Sequence, residues 1–116
     1  MHIIINHSSM IPIYEQIVEQ IERYIAFGVM KPKEQIPSIR ELAAQLGINP
    51  NTVKKAYEEL EKRGAIVTVS TKGTFVTEKI KDIAERKVAE KIKLIKDTVA
   101  ELEKLGISRE EIIKKI

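Results

Sequence analysis

Along this chain the interval between apolar residues changes several times, and each change marks a new element. Residues 3 to 5, Ile-Ile-Ile, are β-branched and predict a short strand closed by Asn6 and His7. Pro12 suits the first turn of a helix, and Ile13, Ile17, Val18, Ile21 and Ile25 recur at helical spacing as far as Gly28. That is a first helix with one apolar stripe. The next segment, VMKPKEQIP, holds two prolines and reads as a loop. Ser38-Ile39-Arg40-Glu41 then has the form of a capping box, in which the serine hydroxyl accepts from the glutamate amide and the glutamate side chain reaches back. The helix it opens buries Ile39, Leu42, Ala43 and Leu46, and Gly47 stops it. Asn49 caps the helix after that. Pro50 takes its first position, where a missing amide costs nothing, and it runs to Arg63 before Gly64.

Two helices joined by a tight glycine turn, the second with a polar cap, are the pattern of a helix-turn-helix. Beyond Gly64 the period becomes that of strands: Ile66, Val67, Thr68 and Val69 form one run and Thr74, Phe75, Val76 and Thr77 another, with Thr71-Lys72-Gly73 as the hairpin turn. A small β-wing is expected there. From Glu78 to Leu105 the helical period returns, with Ala84, Val88, Ile92, Ile95, Val99 and Leu102 spaced by three or four in an approximately heptad seam. Gly106 ends it, and a second capping box at Ser108 opens a terminal helix with Ile112, Ile113 and Ile116. The expected fold is mainly α with a small β-wing: a winged helix-turn-helix over residues 1 to 77, then a long helix and a short terminal helix over residues 78 to 116.

Composition narrows the chemistry. The 116 residues, 43% hydrophobic and 32% charged, match one compact folded domain, or a smaller domain with an appended element. There is no cysteine, so disulfides, thiol nucleophiles and thiolate metal sites are excluded. The only histidines, His2 and His7, lie in the amino-terminal segment, and the only aspartates, Asp82 and Asp97, fall on the outer face of the long helix. No catalytic or metal-binding constellation emerges, and no cofactor is expected. No window approaches the roughly 18 apolar residues of a membrane span, and no cationic segment precedes the short apolar run at the start. The cytoplasm is the expected location. The net charge of +3 and pI near 9.1 are compatible with a nucleic-acid partner without requiring one. Residues 77 to 116 hold 11 Lys or Arg against 9 Asp or Glu, interspersed, which describes a solvated face and not a basic DNA-binding tail.

The helix after Asn49 is more pointed. At 100° per residue Val53, Ala56, Tyr57 and Leu60 share the core side, while Asn51, Lys54, Lys55 and Glu58 point away from it. Its exposed first two turns thus carry amide, hydroxyl and ammonium groups, with no acid before Glu58. Asn can pair with adenine through two hydrogen bonds, Thr can bond a base or phosphate, and Lys can reach guanine or a phosphate. Arg40 at the preceding helix and Lys72 at the wing tip add cations from two more elements. In a winged helix-turn-helix these positions share one side.

The run IPSIRELAAQLGINPNTVKKAYEELEKRGAIVTVSTKGTFV resembles the winged helix-turn-helix of the GntR family of transcriptional regulators, and PIYEQIVEQIERYIAFG is similar to that family's first helix. The resemblance spans roughly residues 11 to 77. NPNTV, followed after the wing by only about 40 residues, is similar to the YtrA subfamily. The resemblance implies a homodimeric repressor, often of membrane-transporter genes, whose long terminal helices pair the subunits; the seam residues Val88, Ile92, Ile95, Val99 and Leu102 are the expected contacts, the alternative being packing of the seam against the first helix of the same chain. It places Arg40, Asn49, Asn51, Thr52, Lys54, Lys72 and Gly73 at DNA-contacting positions, to which Ser38 and Lys55 are added by their place beside them. Two positions depart from the family pattern: Pro50 stands where many relatives have arginine, and Thr71 replaces the first glycine of a Gly-x-Gly wing.

The expected partners are an inverted-repeat DNA operator and a second copy of the chain. No residue points to a small-molecule effector, and the tail is too short to enclose a pocket within one subunit. The competing reading is a nonenzymatic protein-interaction module on the same scaffold.

Overall fold

The computed structural model describes the backbone of residues 1 to 116 and all side chains except those of residues 80 to 83. Helix α1 (Ile13–Ala26) buries Ile17, Val18, Ile21 and Ile25, and Pro12 stands at its cap rather than in its first turn. Helix α2 (Ile39–Leu46) begins where the Ser38 hydroxyl accepts from the Glu41 amide at 3.1 Å. It ends at Gly47, whose φ of 64° lets the chain turn at once toward the next helix. Helix α3 (Pro50–Lys62) starts at Asn49, whose side-chain oxygen accepts from the Asn51 amide at 2.8 Å. Its residues Val53, Ala56, Tyr57 and Leu60 are buried, and α3 packs against both α1 and α2.

Three short strands complete this part: β1 (Gln35–Ile36), β2 (Ile66–Val69) and β3 (Gly73–Val76), antiparallel in the order β1-β3-β2. β2 and β3 are the expected wing. β1 lies inside the segment that reads as a loop from sequence. Its two residues pair Gln35 with Phe75 and Ile36 with Thr74, too short a run to show any alternation.

The strand expected at residues 3 to 5 does not form. Gln20 takes the place of a neighbouring strand, its side chain accepting from the Ile4 amide at 2.9 Å and donating to the Ile4 carbonyl at 2.7 Å. Gln16 treats Asn6 in the same way, at 2.9 and 3.0 Å. The backbone groups are thereby satisfied against α1 without a sheet. Ile3 is buried, Ile5 packs on the same core, and Ile4 faces outward.

Thr77 closes the end of the wing, its hydroxyl donating to the Gly64 carbonyl at 2.6 Å. Helix α4 (Ile80–Lys104) begins two residues later than its sequence pattern suggests, and α5 (Arg109–Lys115) starts at Ser108, which accepts from the Glu111 amide. The chain divides into two compact units, Met1–Ala84 and Glu85–Ile116. In the second, Ile112 is buried, Val99 and Leu102 are half-buried, and Val88, Ile92 and Ile95 are 61%, 46% and 56% exposed. Asp97 is exposed as expected, whereas the side chain of Asp82 falls outside the described residues.

Candidate nucleic-acid interface

The placement of α3 follows from its buried side. Leu60, Val53 and Ala56 have no exposed surface, and the Tyr57 hydroxyl donates to the Pro37 carbonyl at 2.7 Å. Burial first, and the Glu41 charge second, push the Tyr57 phenol well above its usual pKa, so it stays a donor. The opposite side of α3 is therefore presented at a set height. On it Asn51, Lys54 and Lys55 are exposed and Thr52 is half-buried.

These side chains are differently engaged. Lys54 Nζ is 4.0 Å from Glu58, both well exposed, a pair of little strength. Lys55 Nζ sits 4.0 Å from the centre of the Tyr14 ring on α1. The Tyr14 hydroxyl donates to Glu15 at 3.2 Å, and that bond, ahead of the neighbouring charges, raises its pKa. At the far end of α3, Arg63 donates to the fully buried Glu22 at 2.7 Å and to Glu59 at 3.0 Å. Burial opposes the charge on Arg63, but its bonds to Glu59 and Glu22 and their charges outweigh it and raise the pKa.

The wing is shaped by two unusual backbone positions. Thr71 has φ 66°, the left-handed conformation that a β-branched residue rarely adopts, so it takes up the turn geometry that glycine supplies more easily. Gly73 has φ 126°, and a Cβ there would lie 2.5 Å from Gln35 Nε2. The same Nε2 donates to the Lys72 carbonyl at 3.3 Å. Lys72 itself is exposed.

Segment 35 to 37 thus ties three predicted contact regions together. Gln35 holds the wing turn, Pro37 accepts from α3, and Ser38 and the exposed Arg40 begin α2 directly afterward. Of the predicted residues, Ser38 and Asn49 spend side-chain oxygens on capping, while Arg40, Asn51, Lys54 and Lys72 project into solvent. Lys55 is directed toward α1. Two residues escaped the sequence reading, Tyr14 and Gln35, because no spacing rule relates a residue to a partner 37 or 41 positions away.

Known proteins share this fold. The profile described as bacterial regulatory proteins, gntR family, matches residues 13–76. The transcriptional repressor YtrA of Bacillus subtilis is 43% identical over 98 residues, covering 84% of this chain and 73% of that protein. A transcriptional regulator from Oenococcus oeni superposes with a TM-score of 0.85 at 37% identity, over 95% of this chain and 92% of that one. The DNA-binding domain of AraR, solved in complex with operator ORX1, superposes with a TM-score of 0.58 at 31% identity, over 66% of this chain and 96% of that one.

Proposed function

Because this chain belongs to the gntR family of bacterial regulatory proteins, we propose that it represses transcription by holding an inverted-repeat operator as a symmetric dimer. As a member it is a DNA-binding transcriptional regulator. Repression, the two-fold dimer and the residue roles are our reading. The observation that carries it is the exposed amino-terminal half of α3, free of acids over two turns, started by the Asn49 cap and braced by a wholly buried opposite face.

In this reading one α3 enters each of two successive major grooves. Asn51 reads a base edge, with Thr52 and Lys54 beside it on bases or phosphate. Arg40, Lys72 and the Gly73 backbone grip flanking phosphates. Ser38 and Asn49 set where the two helices begin, so that their amino-terminal amides favour phosphate. The exposed Val88, Ile92 and Ile95, continued by Val99 and Leu102, support pairing of α4 with a second copy. Residues 1 to 77 are then the DNA-binding part and residues 78 to 116 the pairing part.

The test is nuclease protection of the DNA upstream of the protein's own gene, followed by binding to the protected duplex and to random duplex across a salt series. An inverted repeat should be protected and preferred by at least about 10³-fold, with affinity falling steeply as salt rises. Equal affinity for both duplexes would refute this reading. A protein-interaction module would bind neither.

A further inference from the structure

The two adjacent lysines of α3 meet different neighbours. Lys54 approaches Glu58, one turn onward. The corresponding partner of Lys55 is Glu59, but Glu59 already accepts from Arg63 Nε at 3.0 Å. Arg63 is held by Glu22, whose carboxylate has no exposed surface and meets the guanidinium at 2.7 Å. A buried carboxylate deprived of its counter-charge is strongly unfavourable, so Arg63 stays with it and Glu59 stays with Arg63. Lys55 Nζ rests instead 4.0 Å from the centre of the Tyr14 ring, whose hydroxyl also feels the charges of Glu15 and Glu59.

A ring and a carboxylate differ in what they leave to a ligand. A carboxylate cancels the ammonium charge, whereas the electron-rich face of an aromatic ring attracts the ammonium and leaves its charge intact. The ring also occupies one side only of a group with three donors. Lysine is a rotamer-rich side chain, and a ring that already confines it removes part of the ordering cost of any later contact. The charge is thereby displaced from α3 toward α1, beside the helix that enters the groove.

We propose that Tyr14 is a positioning residue of the DNA-binding surface, holding the Lys55 ammonium for a phosphate at the margin of the groove occupied by α3. The inference rests on the duplex-binding reading above. Tyr14 acts through Lys55 and not by touching DNA.

The test is operator affinity of the full chain in a two-by-two cycle of Tyr14→Leu and Lys55→Ala, with Tyr14→Phe as the conservative variant. Tyr14→Leu should weaken binding roughly two- to fivefold when Lys55 is present and have no effect once Lys55 is alanine. Tyr14→Phe, which keeps the ring, should retain the affinity that Tyr14→Leu loses. Equal weakening by Tyr14→Leu in both backgrounds overturns the proposal, and so does a Tyr14→Phe variant as weak as Tyr14→Leu, which would assign the contact to the hydroxyl. In the free protein, the Lys55 ε-protons should show a ring-current shift in NMR that Tyr14→Leu abolishes; its absence in the unsubstituted chain also overturns the proposal. Failure of the unsubstituted chain to prefer the operator refutes the parent reading, a result separable from all of these.

Discussion

Helices α3 and α4 carry the same kind of amphipathic repeat in different surroundings. In α3, Val53, Ala56, Tyr57 and Leu60 are at most 3% exposed, enclosed by α1 and α2 of the same chain. In α4, Val88, Ile92 and Ile95 remain roughly half exposed or more in the single chain. A pattern of spacing states that a face is to be covered but not by what. Where the cover comes from the same chain, the polar side is held rigidly, which suits recognition at base edges. Where the described residues leave much of the face open, as at Val88, Ile92 and Ile95, the face is suited to association.

That contrast can be broken most severely at α4. Replacing Ile92 and Ile95 together with Asp should convert a dimer to monomer in sedimentation and lower operator affinity by roughly 10²- to 10⁴-fold, because two linked half-site contacts become independent. Thermal unfolding of residues 1 to 84 should be unaffected. A double variant that stays dimeric would remove this seam from the interface. Next in size, Leu60→Ala should cost about 3 kcal/mol of stability in urea denaturation, since it empties a fully buried site between helices. A loss below about 1 kcal/mol would show that α3 is not closed by the core as described.

On the polar side of α3, Asn51→Ala should reduce discrimination between operator and altered sites by about 2 kcal/mol. Lys72→Ala, by contrast, should weaken binding to every sequence alike. A variant at Asn51 with unchanged sequence preference would reassign readout to another residue. The smallest effect is expected in the wing. Thr71→Gly should raise stability by about 1 kcal/mol, seen as slower amide exchange in β2 and β3, because glycine adopts the φ of 66° without steric cost. Faster exchange would mean that the threonine side chain contributes something that its backbone conformation does not reveal.

The helices and the wing were legible in the sequence because their signals are local. Ser38, Asn49 and Ser108 act within two or three residues of themselves, and Gly47 ends α2 at the next peptide. The strand expected at residues 3 to 5 fails to form for the same reason. Three β-branched residues favour an extended chain, but a strand needs a neighbour, and here the neighbour is a pair of glutamine side chains on α1. β1 leaves no mark in the sequence because pairing, not composition, makes a strand of two residues.

The sequence by itself determined where α2, α3 and α5 begin, which side of α3 faces outward, and which side chains that outer face offers. Those properties come from the helical repeat and from short-range hydrogen bonds, which a linear string encodes directly. Only the tertiary structure decided that Gln35 holds the wing beside the start of α2, that Arg63 answers the buried charge of Glu22, and that Lys55 rests on Tyr14. Each of these joins residues far apart along the chain, whose meeting depends on how whole elements pack around one core.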